Sequence, residues 1–457
     1  RSRGLGDVYK RQTCNIMPMS RNITLFLLLL LCVPSFVGAR TLNDDYVDSV
    51  SRSNKLVFID GRPVDRVELN HYTDSIRSRI AAFYYDQFHH FMDPGAPYFL
   101  FLSKDSKLAM GIGGAVRMRA YYDWGCAMPS PGFAPALIPI PADPANMKHF
   151  GTTPAGTCLF FRVLGQNKTL GEYQLYIEAD FTGYQSRDFR LKKAYAIIND
   201  FTVGYAPSTF SDPAAVPPTV DAQGPANKMT PTSVLVRYMP VVRDKWYFAV
   251  SAETPETSIG ADGSDTRTVS NWLPDFAAFA QYQWAQGQHI RLSGIVRTLS
   301  YRDMLQGRNH DKAGWAVQLS GVGSPHRAMT VFATANYGHG YASLGGDLMM
   351  GAYDLVGDPL LPGKLYAPAS YGWCLGFKYN FTPMLFASLS VSQTRYLPSH
   401  RVSPDEYKYG MASAVNVFWN MTPRMQVGAE YDFGYRRNFG GAHRSAQRVG
   451  AMCMFSF

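Results

Sequence analysis

The sequence predicts an all-β membrane protein: a sixteen-stranded antiparallel transmembrane β-barrel with a short N-terminal periplasmic helical segment. Three observations carry this. The chain stops on a strand, in which Val449, Ala451, Cys453, Phe455 and Phe457 are apolar and Arg448, Gly450 and Ser456 intervene. Ends of soluble chains fray, whereas a closing barrel strand pairs to its last residue. A secretory signal stands near the N-terminus, and no later run approaches the roughly 20 apolar residues of a membrane helix. The third observation is a series of segments of about ten residues with period-2 alternation, the length a tilted membrane strand needs.

From the N-terminus, residues 1–16 form an irregular basic stretch without apolar periodicity and are set aside as a non-native leader. Residues 17–39 read as a signal peptide opening at Met17 or Met19: basic Arg21, an apolar run from Leu25 to Val33, and a small-residue exit at Val37-Gly38-Ala39. Cys32 follows bulky Leu31, which argues against a lipid anchor. The mature chain is expected to start near Arg40. Residues 40–106 are expected in the periplasm, where Leu69, Thr73, Ile76, Ile80, Phe83, Gln87 and His90 keep heptad spacing for a short seam. That pattern suits either a helix supporting a trimer or an amphipathic helix packed on the barrel mouth. His89-His90 has no Cys or carboxylate at ligand spacing, so no metal site is expected.

Composition points the same way. Charged residues are 17% of the chain, below the quarter usual in soluble domains, while aromatics reach 14%. With 28 Tyr, 28 Phe and 40 Gly, short amphipathic strands with interfacial aromatics are favoured over helices. The formal charge of +9 is modest, and without a clustered basic helix or a stacking motif it excludes nucleic acid as a partner. Past the signal the cysteines are Cys126, Cys158, Cys374 and Cys453. Cys126 and Cys158 bracket a Pro-rich insertion and predict a loop disulfide in an oxidising compartment. No C-x-x-C spacing or other cofactor signature occurs, so no cofactor is expected.

The barrel proper is expected over 107–457, with strands near 108–124, 158–166, 171–183, 188–197, 199–207, 232–239, 244–253, 275–285, 288–299, 312–321, 327–337, 370–380, 384–395, 407–419, 424–435 and 445–457. Sixteen is even, as antiparallel closure with both ends in the periplasm demands. Short turns such as Ile198-Asn199-Asp200 alternate with long connections at 125–157, 208–231, 254–274 and 338–369, the asymmetry of a barrel with external loops. Two turns nearly repeat, Tyr379-Asn380-Phe381-Thr382-Pro383 and Trp419-Asn420-Met421-Thr422-Pro423, each with an aromatic at the strand end. A soluble β-sandwich also alternates. Outward faces such as Trp246, Phe248 and Val250, or Tyr371, Trp373, Leu375, Phe377 and Tyr379, are too uniformly apolar for it.

Parity turns Arg117, Arg119, Arg162, Arg190, Lys192, Arg237, Arg291 and Arg297 inward as pore-lining residues, against the acids Glu178, Asp180, Glu430 and Asp432. Such cations read two ways: as a lining that favours anions, or as a structural ladder pairing with acids across the lumen. Guanidinium, always charged and fork-shaped, suits a planar carboxylate. The connection 208–231, with Ser208, Thr209, Phe210, Asp212, Asp221 and Gln223 among its many prolines, suits a loop folded inward as a constriction. A Pro-rich external loop would have the same composition.

The stretches Glu172-Tyr173-Gln174-Leu175-Tyr176-Ile177-Glu178-Ala179-Asp180-Phe181, Phe189-Arg190-Leu191-Lys192-Lys193-Ala194-Tyr195, Ser208-Thr209-Phe210-Ser211-Asp212-Pro213 and Asp221-Ala222-Gln223-Gly224-Pro225 resemble the DcaP-like porins. The resemblance covers 108–457 and is sharpest from 171 to 240. It implies a trimeric sixteen-stranded outer-membrane channel for dicarboxylates and other small anionic solutes, with Arg117, Arg119, Arg162, Arg190 and Lys192 lining an eyelet and the loop from Ser208 to Pro231 narrowing it. The expected partners are outer-membrane lipid, anionic solutes, two further copies in a homotrimer, and the barrel assembly machinery. The last is inferred because the ending at Phe457 resembles the assembly signal of outer-membrane barrels. The N-terminal region departs from that family, in which a longer coiled coil is expected. Rival readings are a phosphate-selective channel, for which the loop offers only Lys228, a general diffusion pore, and a plugged receptor. An enzyme is not expected, since His289, His310, His326, His339, His400 and His443 are scattered and lack a nucleophile signature.

Overall fold

The computed structural model describes residues 86–103, 107–182, 188–243, 245–258 and 265–457, with Ile80 and the backbone of Lys55–Phe58. The leader, the signal peptide and most of the heptad seam lie outside these residues. Ile80 is helical and buried, whereas Gln87 and His90, placed on the same seam by their spacing, stand in a turn region rather than on a helix.

Sixteen strands close into one antiparallel barrel. They are β1 (Leu108–Trp124), β2 (Cys158–Asn167), β3 (Gly171–Thr182), β4 (Asp188–Ile198), β5 (Phe201–Pro207), β6 (Thr232–Tyr238), β7 (Trp246–Glu253) and β8 (Asp275–Ala285). The second half comprises β9 (Gln288–Asp303), β10 (Arg308–His326), β11 (Met329–His339), β12 (Ala369–Asn380), β13 (Leu385–Leu397), β14 (Tyr407–Thr422), β15 (Met425–Asn438) and β16 (His443–Ser456). Period 2 sorts each strand into two faces. Val250, Phe276, Val296, Trp373, Val415 and Val449 stay exposed on the outside, where lipid replaces a protein core. Aromatic pairs such as Trp246 with Tyr282, 5.0 Å between centroids, and Trp124 with Tyr431, 6.0 Å, stand on this outer face. Among the described residues no helix is long and apolar enough to cross a membrane; the strands do so.

Closure falls between β16 and β1, in register from Gln447 opposite Trp124 to Ser456 opposite Ala115. The seam continues below it. The short strand Phe99–Leu102 pairs with Ile112 to Ala109 of β1, and Lys55–Phe58 pairs parallel to that strand.

The structure corrects one expectation here. Cys126 and Cys158 form no disulfide; both are free and buried. Cys158 lies opposite Ala115, while Cys126 follows the far end of β1 and packs with Met128, Phe133, Ile138 and Ala446. At roughly 3.3 Å per residue the two sit on the order of 30 Å apart along the strand, against the 7 Å a disulfide tolerates. Within 40–106, residues 86–98 pack against inward-facing side chains of the barrel.

The lumen as candidate functional site

β5 and β6 are neighbours in register, yet the chain between them is 208–231. The Ser208 amide donates to the Pro231 carbonyl at 2.9 Å, fixing the neck of this loop, and most of its residues are buried. It spans to distant strands. Asp212 meets His289 Nε2 on β9 at 2.8 Å and accepts from Ser320 Oγ on β10 at 2.5 Å. The Val220 and Asp221 amides donate to Glu430 on β15 at 2.7 and 2.5 Å. Asp221 pairs with Arg119 of β1 and Arg448 of β16, both at 2.9 Å. Ala226 binds Ser392 and Thr394 of β13, and Asn227 donates to Thr334 of β11. Small Ser, Thr and Asn side chains on the inner wall leave the loop backbone room to approach and satisfy its polar groups. Thr209 and Phe210 seat the start of the loop: the Thr209 amide donates to Glu253 at 2.8 Å, and Phe210 enters a core with Met229, Ile295 and Tyr341. Gln223 caps the turn after Asp221, its amide donating to that carboxylate at 2.8 Å. Burial by itself raises the Asp212 carboxyl, but the Arg291 guanidinium and His289 overrule it and hold the group below the usual carboxylate range.

The eight cations that parity turns inward divide into two sets. Arg117, Arg119, Arg162, Arg237, Arg291 and Arg297 keep 4% or less of their surface. Arg117 donates to the Val220 carbonyl at 2.5 Å, Arg237 to that of Pro207 at 3.1 Å and Arg291 to that of Ser211 at 2.8 Å. Arg297 pairs with Asp275 at 3.0 Å and Asp354 at 3.3 Å, and Arg162 with Asp86 at 3.2 Å. These six clamp inserted chain to the wall. Arg190 and Lys192 differ: their side chains retain 58% and 28% exposure, while the paired Asp180 and Glu178 retain 12% and 0%. In these two pairs the cation is the more accessible member.

Strand parity hides one group. A bulge between β3 and β4 sets Glu178 opposite Lys193 and Ala179 opposite Leu191, leaving Lys192 as the extra residue. Lys193 therefore turns inward as well and reaches Glu178 at 3.4 Å. Arg448, by contrast, was within reach of the parity argument, since its neighbours Val449 and Ala451 face lipid. It forks onto Asp123 at 2.6 and 3.0 Å and reaches Asp221.

Below the loop runs a second insertion, residues 86–98. Asp86 accepts from Arg162 and from the Tyr195 hydroxyl at 3.3 Å. Asp93 takes Lys192 at 3.0 Å and Lys193 at 2.7 Å. Phe88 lies 3.9 Å beneath the Arg237 guanidinium and packs on Phe279 of β8. Phe91 packs between Phe386 of β13 and Phe418 of β14, at 5.9 and 5.1 Å. Among the described residues no cluster of His, Cys, Asp and Glu forms a metal site.

A closed barrel of this strand number, apolar outside and lined by charged side chains and an inserted loop, has the fold of an outer-membrane porin. Solved structures agree. The chain is similar to the outer membrane channel DcaP of Acinetobacter baumannii, with a TM-score of 0.65 and 21% identity over 78% of this chain and 99% of that one. It is also similar to the anion-selective porin from Comamonas acidovorans, with a TM-score of 0.52 and 10% identity over 77% of this chain and all of the other. These likenesses are of fold. No protein-family model matches the sequence, and no curated protein does.

Proposed function

We propose that this barrel passes small anionic solutes, dicarboxylates among them, by diffusion across the outer membrane, and that it works as a homotrimer. The observation carrying this reading is the unequal exposure on β3 and β4: Arg190 and Lys192 offer charge to the lumen while Asp180 and Glu178 are covered. Lys228 adds a further cation at the inner edge of the loop, its ammonium donating to the Ala222 carbonyl at 2.9 Å. In a narrow, low-dielectric passage such groups focus their field on the permeating ion. A dicarboxylate matches two cations at once. That a porin of the same fold is anion-selective fits the reading.

The test is uptake into liposomes holding the purified protein. Succinate is expected to enter faster than a neutral solute of equal size, and replacing Arg190 and Lys192 together by Gln is expected to remove most of that advantage. Equal rates for both solutes in the unmodified protein would leave a general diffusion pore.

A further inference from the structure

Residues 86–98 reach both sides of the ring. Asp86 and Asp93 hold the wall of β2 and β4 through Arg162, Lys192 and Lys193. Phe91 sits against β13 and β14, and the Arg424 side chain, in the turn after β14, donates to the Ala96 carbonyl at 3.0 Å. β4 and β13 lie nearly opposite in a ring of sixteen, so this strap crosses the lumen beneath the loop.

The strap's attachment is made by side chains. Its backbone-to-backbone bonds among the described residues are internal turns, His89 to Asp86 at 3.0 Å and Asp93 to His90 at 2.9 Å. Pairing with the wall backbone starts only at Phe99, where Phe99–Leu102 joins β1. Before the pairing that starts at Phe99, the wall holds residues 86–98 by ion pairs, the Arg424 bond to Ala96 and the rings of Phe88 and Phe91, so these residues can leave without breaking a strand pair.

The chemistry of its grip matters most. Two carboxylates from the strap occupy Arg162, Lys192 and Lys193, and Lys192 is also one of the exposed cations assigned above to the anion path. We propose that the strap is a built-in competitor: Asp86 and Asp93 stand where the carboxylates of a solute bind, the strap closes the lumen while they do, and solute anions open the channel by displacing them. This rests on the anion-channel reading and adds a gate to it. It makes opening depend on the anion: a dicarboxylate, able to replace both contacts, displaces the strap better than chloride at equal ionic strength.

Two measurements test it. In planar bilayers, Asp86→Asn combined with Asp93→Asn is expected to raise the mean current per channel several-fold over the parent, with anion preference retained. Unchanged current with anion preference would overturn the strap alone, and cation preference in both proteins would overturn the channel reading and the displacement with it. Hydrogen exchange on the unmodified protein covers the case of a variant that fails to fold. Amides of 86–98 are expected to exchange several-fold faster in succinate than in chloride of matched ionic strength, with β10 and β14 unchanged. Equal exchange in the two salts would overturn displacement and leave the strap a fixed plug.

Discussion

Phe457 and Gly114 exchange both of their backbone hydrogen bonds: the Gly114 amide donates to the Phe457 carbonyl at 2.8 Å, and the Phe457 amide to the Gly114 carbonyl at 2.9 Å. The barrel is therefore paired through Phe457. At the closing seam the alternative partner for those groups is lipid, in which an unpaired backbone group costs several kcal/mol. Gly114 also has no room for a side chain, because a Cβ there would lie 2.4 Å from the Cys158 carbonyl oxygen.

Gly114→Val and deletion of Phe457 are accordingly expected to lower the folded fraction several-fold, read as heat-modifiable mobility on a gel. Channels that do form are expected to keep their conductance, since both changes leave in place Arg117, Arg119 and Arg448, which hold the loop. Normal folded yield for both variants would show that closure does not depend on this pair.

The cysteines supply a chemical check. Cys126 and Cys158 are free and stand on different levels of the barrel. After denaturation without reductant both thiols are expected to take up a maleimide, and reductant is expected to leave the thermal midpoint of the folded protein unchanged. A 126–158 cross-linked peptide in a non-reduced digest would contradict the register of β1 with β2.

How far the sequence discloses all this depends on which interaction sets each feature. The sixteen strands are legible because lipid imposes one rule on every outward residue, so Trp246, Phe248 and Val250 announce their face without knowledge of any neighbour. The bulge that brings Lys193 inside is not, since it arises from how β3 and β4 fit together and leaves no local mark on parity. The role of Arg117, Arg291 and Arg297 is invisible for a related reason. Parity turns them inward, but whether they meet water or inserted chain depends on where 208–231 and 86–98 run. Proximity of Cys126 to Cys158 in sequence likewise misleads, because a long strand separates residues that a loop seems to join.

The arginine clamp on the loop has an energetic consequence. Asp221 is buried between Arg119 and Arg448 and accepts amides of Phe133 and Gln223. Asp221→Asn takes the counter-charge from the buried Arg119 guanidinium, while Arg448 keeps Asp123, a loss of about 3–5 kcal/mol for a pair of this kind. A lower thermal midpoint and noisier single-channel current are expected, with protease cutting within 208–231. A midpoint equal to the parent's would show that the loop is held by its backbone bonds instead.

The proposed anion preference is expected to depend on pH through Lys228. Burial, with Lys192 and Arg117 adding to it, brings its ammonium down to about 8 against the opposing pull of Asp93 and Asp221. The group is charged at neutral pH and loses its proton as pH rises through 8, where an ordinary lysine would still be charged. Anion preference is expected to decline between pH 7 and pH 9, and Lys228→Gln is expected to flatten that profile at the lower value. The same decline in the Gln variant would assign it to another group.

The central claim is that exposed cations on β4 set which ions pass. The most direct measurement is the reversal potential of single channels in a salt gradient, for the parent, for Arg190→Gln with Lys192→Gln, and for a control with the same charge change at Lys364 and Arg401 in the outer loops. Anion preference is expected in the parent, a clear reduction in the β4 variant and little change in the control, with the parent's preference weakening as salt shortens the screening length from about 10 Å at 0.1 M to about 3 Å at 1 M. Cation preference in the parent, or the same reversal potential in both variants, would contradict it.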